Sequence, residues 1–459
     1  MQGNASTAAS GSSTGALLLL LFGGVLLGAL DIAIVGPALP ALQEQFGIDS
    51  RSAAAIFSIY ILFGLISTPL LASLSDRYGR RRIYILCLLL FGIGSIVVAS
   101  AGSYVVLLLG RALQATGAGG MLPVASAVIA DRFPAERRGR ALGLIGAVFG
   151  LAFMIGPLIG WLFLQWSWRW LFLINLPLIA VLVVASARML EDHARAEARG
   201  FDMPGTILLA IILVALAIGA STLQLSSSGW PYPGSTALAS FAVAAVAAAF
   251  FWRAETRAAM PVVHPGLMQS RRMQIIGLLA LATGLVEASM VFLPTLAVSA
   301  LDVTASRASF MLIPLVLALI AGSVVAGRSL DRVGPRPVIQ AGMGFTIAGL
   351  LLFAFLPLSA GGFYAAGITV GFGLASLLGA PLRYVALEEG GHENRGASQG
   401  LLTVCLSTGR LFGASLTGGI AAAAAVAVSG YRQAMLVFAI ACALALLASG
   451  GLRRRQSVE

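Results

Sequence analysis

The chain reads as an all-α membrane protein: two six-helix bundles with two helices inserted between them, fourteen transmembrane helices in all. Three observations predict this. The 459 residues are 59% hydrophobic and 10% charged, with a mean hydropathy of +0.95, whereas soluble domains carry about 25% charged residues. Apolar runs of about 18 residues or more, enough to cross a bilayer, recur along the whole length. An arginine-rich loop, Asp76-Arg77-Tyr78-Gly79-Arg80-Arg81-Arg82, returns 255 residues later as Asp331-Arg332-Val333-Gly334-Pro335-Arg336. A second echo, Arg138-Gly139-Arg140-Ala141-Leu142-Gly143 and Arg395-Gly396-Ala397-Ser398-Gln399-Gly400, has an offset of 257. Two independent pairs at nearly one offset indicate an internal repeat, the architecture of a transporter.

Residues 1–15 are small and polar with no basic start, and read as a disordered cytoplasmic tail. The first bundle, 16–190, holds spans at 16–40, 53–74, 83–101, 104–130, 141–165 and 169–187. The first loop of arginines parts the second span from the third, and the second echo opens the fifth. A linker, 191–272, carries the two extra spans, 204–222 and 236–253, split by Gly229-Trp230-Pro231-Tyr232-Pro233-Gly234. The second bundle, 273–452, holds spans at 273–299, 308–327, 337–357, 362–386, 397–425 and 433–451, and a cytoplasmic tail follows at 453–459. The repeated loops follow the second and tenth spans, and the echoes open the fifth and thirteenth. Both pairs are eight spans apart, which is six plus the two inserted.

Orientation follows from arginine. An even number of spans puts both termini on one side. With that side cytoplasmic, inside loops and the C-terminal tail hold 23 arginines, and outside loops hold four, Arg51, Arg169, Arg307 and Arg432. Trp161, Trp166, Trp168 and Trp170 gather at one outer boundary and Trp252 lies at an inner one, as an aromatic belt would.

Composition also excludes. All 29 basic residues are arginine, so neither a P-loop lysine nor a Schiff-base lysine exists. That argues against ATP-driven transport. The net charge of +11 is accounted for by topology, and no nucleic-acid partner is expected. Cys87, Cys405 and Cys442 lie in apolar runs without metal-ligand spacing and read as packing residues. His193, His264 and His392 are scattered in polar loops. No catalytic constellation, metal site or cofactor is indicated, and no enzyme activity is expected.

The motifs resemble the major facilitator superfamily, in its fourteen-helix drug:proton antiporter branch, over nearly the whole chain. Ala72-x-Leu74-x-Asp76-Arg77-x-Gly79-Arg80-Arg81-Arg82 is similar to the family's loop between helices 2 and 3, with Ala72 for the usual glycine. The resemblance makes Asp76, Arg77, Gly79, Arg80 and Arg81, with Asp331, Arg332 and Gly334, a conformational latch. Its alternative is a merely topogenic loop. Leu30-Asp31-Ile32-Ala33-Ile34-Val35-Gly36-Pro37-Ala38-Leu39-Pro40 resembles the branch's first-helix motif, with Ala33, Gly36 and Pro37 replacing the commoner threonine, asparagine and valine. Gly110-Arg111-Ala112-Leu113-Gln114 is similar to a buried-arginine motif. Gly156-Pro157-Leu158-Ile159-Gly160 resembles the antiporter motif, in which glycines thin the fifth helix and proline bends it against the opposite bundle. An ordinary glycine-rich packing helix is the other reading.

Of 18 acidic residues, Asp31 and Glu287 lie well inside apolar runs, and of the arginines only Arg111 and Arg410 do. Such a charge costs roughly 2.5–3.5 kcal/mol to insert, so it is paired or functional. Depth along the helices, at about 1.5 Å per residue, matches Asp31 with Arg111 and Glu287 with Arg410. A carboxylate beside an arginine stays ionised until a cation displaces the pairing or the site dehydrates and favours the protonated form. Proton and substrate would then compete for one carboxylate. The alternative is a structural ion pair in each bundle. Gln114, one turn from Arg111, is a candidate cavity residue, and Arg383 reads as topogenic.

The expected function is export of a small hydrophobic or amphipathic substrate, driven by the proton motive force. The expected setting is a lipid bilayer, as a multi-pass monomer of the cell membrane with both termini cytoplasmic. A lipid exporter, a metabolite exporter or importer of the same fold, and a non-transporting receptor or regulator stand as alternatives.

Overall fold

We describe a computed structural model covering residues 5–133, 148, 151–191, 202–226, 230–258, 261–390 and 395–451. The first bundle's side begins with α1 (Ala5–Phe46), α2 (Ser50–Tyr78), α3 (Arg80–Ala99) and α4 (Tyr104–Arg132). They are followed by α5 (Leu151–Phe163), α6 (Trp170–Leu173) and α7 (Asn175–Met189). The inserted pair is α8 (Met203–Ser221) and α9 (Ser235–Glu255). Their connector forms two short antiparallel strands, β1 (Gln224–Leu225) and β2 (Pro231–Tyr232). Then come α10 (Pro265–Gln269), α11 (Arg271–Met290), α12 (Leu293–Leu301), α13 (Ala305–Phe310) and α14 (Ile313–Val333). The chain continues with α15 (Pro335–Phe355), α16 (Ala360–Leu378), α17 (Ala380–Gly390), α18 (Arg395–Ala423) and α19 (Ala427–Ala448).

Among the described residues, twelve helices are long and apolar enough to cross a membrane. Two of the fourteen expected spans are not among them. The fifth is described only as the shorter apolar helix Leu151–Phe163. The thirteenth is α18, where Arg410 and many Ser, Thr and Gly residues lower the hydropathy. α1 starts at Ala5, so the backbone of 5–14, expected as a disordered tail, is helical, as a stretch with no proline permits.

Four spans expected as single helices are broken. The breaks fall at Ile174, Val291-Phe292, Met311-Leu312 and Gly379. A proline follows each within three residues: Pro177, Pro294, Pro314 and Pro381. Proline lacks the N–H donor and its ring crowds the carbonyl four residues back, so it ends one helix and sits in the first turn of the next.

The chain divides into two compact units. The first comprises Met1–Ile34, Phe63–Ile159 and Trp166–Phe201, and the second Val35–Leu62, Gly160–Gln165 and Asp202–Glu459. Within the first unit α3 lies along α4. A methyl group built on Gly94 would stand 2.7 Å from Gln114 Cγ, and one on Gly110 would stand 2.8 Å from Val98 N, so glycine permits this approach. Within the second unit α15 and α16 repeat the arrangement, with Gly349 against Val370 and Gly373 against Thr346. α11 packs on α18 in the same way, Gly413 against Leu285.

Trp168 departs from the expected belt. It is 5% exposed, with its ring 6.1 Å from Phe172, while Trp166 and Trp170 are exposed. Cys87 and Cys442 are buried and Cys405 is half-buried, and none is in a disulfide. His193 and His392 lie outside the described residues, as do Arg137, Arg138 and Arg140.

Candidate functional site

In the first unit Asp31 of α1 meets Arg111 of α4. Arg111 Nη1 donates to Asp31 Oδ2 at 2.5 Å, and both side chains are wholly inaccessible to solvent. The same Nη1 donates to Gln114 Oε1 at 2.9 Å. Gln114 Nε2 donates to Asp31 Oδ1 at 3.3 Å and to Ser95 Oγ at 2.9 Å. Ser95 Oγ in turn donates to the Phe91 carbonyl at 2.9 Å. Arg111 Cζ also lies 5.9 Å from the Phe172 ring centroid. The helix supplies this geometry: Arg111 and Gln114 are three apart, so they share a face. Buried charge is tolerated only when paired and hydrogen-bonded, and each Asp31 oxygen has a donor here. Gln114, read from sequence as a cavity residue, is fully buried, and its amide serves the pair.

In the second unit Arg410 Nε of α18 donates to Glu287 Oε2 of α11 at 2.8 Å. This pair is more open, at 24% exposure for Arg410 and 11% for Glu287. Glu287 lies one turn before the break between α11 and α12. Arg383 is in coulombic range of both Glu287 and Arg410 and is exposed. Its carbonyl accepts from Gln399 Nε2 at 3.0 Å, tying α17 to α18. Arg383, read from sequence as topogenic, therefore adds a positive charge within electrostatic reach of this pair. The signal for it was Gly379-Ala380-Pro381, which breaks the helix just before it. Ser95 had no signal beyond being a hydroxyl in an apolar run.

The arginine-rich loops are equivalent in backbone. Gly79 and Gly334 both take positive φ and each joins two helices directly. In the first loop Arg80 bridges Asp76 at 2.5 Å and Asp131, at the end of α4, at 3.3 Å. Arg80 Nη1 also donates to Ser75 Oγ at 2.6 Å. Arg77 Cζ lies 5.4 Å from the Tyr78 ring centroid. Arg81 is half-buried, and Asp331 and Arg332 are exposed. Asp76 is therefore paired within its own loop in this conformation.

The glycines of α5 face two neighbours. A methyl group on Gly156 would stand 2.6 Å from Ala33 Cβ, so α5 rests on α1 two residues beyond Asp31. In the second unit a methyl group on Gly160 would stand 2.6 Å from Pro37 Cβ and would also strike Ser309 Oγ. There, Ser306 Oγ donates to the Trp161 carbonyl at 2.7 Å, and the Trp161 and Phe310 rings are 5.8 Å apart. The second unit also joins Ser50 to Tyr431 at 3.0 Å and Ser58 to Ser415 at 3.1 Å. Its Gly36 would bring a methyl group within 2.9 Å of the Val291 carbonyl. These contacts gather the end of α1, the start of α2 and the end of α5 onto α11–α13, α18 and α19.

A family model described as Major Facilitator Superfamily matches residues 21–204 and 180–414. The chain is 33% identical to the Uncharacterized MFS-type transporter YfiU of Bacillus subtilis, over 86% of this chain and 77% of that one. It is 28% identical to the Multidrug transporter protein MdtP of Bacillus subtilis, over 89% and 74% of the two chains. It is also 28% identical to the Multidrug resistance protein Stp of Mycobacterium tuberculosis, over 86% and 73%. Among solved structures, a D-xylose-proton symporter superposes with a TM-score of 0.67 at 14% identity, covering 95% of this chain and 97% of that one. That likeness is one of fold.

Proposed function

The chain belongs to the Major Facilitator Superfamily of membrane transporters, and from that premise we propose that it exports amphipathic, drug-like compounds in exchange for protons. It is a multi-pass membrane protein. The observation that carries the exchange reading is the pair of carboxylates inside apolar spans, each held by one arginine: Asp31 by Arg111 and Glu287 by Arg410. When an arginine withdraws, its carboxylate must take a proton or another cation, because an unpaired charge in a dry site is costly. Alternating access of two six-helix bundles, 16–190 and 273–452, would couple that step to substrate movement. The names of two relatives, a multidrug transporter and a multidrug resistance protein, support the substrate class.

The proposed topology has fourteen spans: the twelve apolar helices with α5 and α18. Both termini are cytoplasmic, the protein is a monomer of the cell membrane, and the linker 191–272 carries the two extra spans. The arginine-rich loops act as the cytoplasmic latch. Gly156, Pro157 and Gly160 let α5 close the outer end, and Gln114 holds the Asp31 pair until it opens.

Arg383 favours a second reading. Its charge, within electrostatic reach of the Glu287–Arg410 pair, makes the surroundings net positive, which suits an anionic or zwitterionic headgroup, as in a lipid or an acidic metabolite.

The test is transport in proteoliposomes with an imposed pH gradient. Asp31→Asn and Glu287→Gln are each expected to abolish gradient-driven transport while leaving substrate exchange. Intact gradient-driven transport in both variants would refute the assignment.

A further inference from the structure

We propose that Asp202 and Glu255 together bind one proton, forming a shared-proton clasp between the start of α8, the end of α9 and the segment leading into α10. Glu255 is the last residue of α9 and is 1% exposed. Its Oε2 accepts from the Val263 N–H at 3.0 Å. Its Oε1 is buried with no hydrogen-bond partner. Asp202 caps α8, with Oδ1 accepting from the Gly205 N–H at 2.9 Å, and its Oδ2 is likewise buried without a partner.

Both partnerless oxygens border the same face of Gly205. A methyl group there would stand 2.6 Å from Glu255 Oε1 and closer still to Asp202 Oδ2. Both oxygens lie within 2.6 Å of that one point, so the two carboxyl groups are neighbours. Ionised carboxylates only accept, so two of them cannot bond to each other. One proton resolves this: the O–H of one acid donates to the carboxylate of the other, with the second charge removed.

Among the described residues no other group neutralises the pair; His193, Arg195 and Arg199, ahead of Asp202, lie outside them. Arg253 on α9, Arg257 in the turn after it and His264 before α10 make no hydrogen bond or ion pair with Glu255 among the described residues. α18 meets α8 at its far end, Gly419 against Ala220 and Ser221. When the proton leaves, two buried like charges face each other, and the end of α9 must part from Asp202 or from Val263. The clasp lies at helix ends that the arginine distribution assigns to the cytoplasm. It therefore gives the inserted helix pair a response to cytoplasmic pH, separate from Asp31 and Glu287.

The test is hydrogen exchange of the 261–264 segment in the full chain in lipid nanodiscs, corrected for intrinsic rate, from mildly acid to alkaline pH. The wild type is expected to lose protection by roughly tenfold per pH unit above the pair's titration point. Glu255→Gln supplies an amide N–H where the shared proton sat. It is expected to keep protection at all pH values, whereas Glu255→Ala loses it at all of them. Three results overturn the proposal: pH-independent protection in the wild type, Glu255→Gln as unprotected as Glu255→Ala, or protection that depends on replacing choline with sodium. The last would assign a metal cation to the pair.

Discussion

Gly79 and Gly334 hold nearly the same backbone conformation, φ 101° and ψ 144° against φ 81° and ψ 175°, each as the single residue between two helices. The repeat in the sequence is thus a repeat in the chain path. This region of φ and ψ is open to glycine and costs other residues about 1–3 kcal/mol. Gly79→Ala and Gly334→Ala should each lower the thermal unfolding midpoint in detergent. Gly344→Ala, where a methyl group meets nothing within 4 Å, should leave it unchanged.

Arg111 and Asp31 are expected to behave as a unit. Removing one partner leaves a buried, unpaired charge, at a cost of about 3–5 kcal/mol. Arg111→Leu and Asp31→Leu should each destabilise strongly, and the double variant should recover most of the loss. A double-mutant cycle on the unfolding midpoint measures this. Simple additivity would mean that the two groups are not coupled.

Gly156 and Ala33 are in contact through their smallness. Ala33→Thr, which restores the commoner residue of the resembling motif, should clash here and cost about 1–3 kcal/mol. Gly156→Ala should also impair stability and transport. Ala33→Gly should partly rescue Gly156→Ala, because it removes the nearest atom that the new methyl group meets and leaves the Ala33 backbone carbonyl at 3.1 Å. Unfolding midpoints of the single and double variants test it.

Arg383 should tune the charge of the preferred substrate. Arg383→Gln removes a positive charge within electrostatic reach of Glu287. Binding of an anionic probe should weaken severalfold, by about 1 kcal/mol, and binding of its cationic analogue should tighten. Equal effects on both probes would make Arg383 a structural residue.

Positions of spans and loops were legible because insertion energy depends on composition: four arginines at 77–82 cannot enter a bilayer, and Asp31 stands out in an apolar run. The pairings of Asp31 with Arg111 and of Glu287 with Arg410 were legible by depth. The helix breaks beside Pro177, Pro294, Pro314 and Pro381 were not legible, because hydropathy continues unbroken across them. Glu255 carries no sequence signal because it sits at a span end, where a carboxylate normally meets water.

The amino-acid order alone determined what had to be buried, what had to stay out of the bilayer, and where the chain repeats. Those are one-dimensional properties, set by the solvation of each residue in turn. Only the tertiary structure decided the partners: Gln114 and Ser95 around Asp31, Ala33 beneath Gly156, and Asp202 against Glu255. A hydrogen bond or a steric fit depends on distances of a few ångströms between segments far apart in sequence, and no local pattern encodes them.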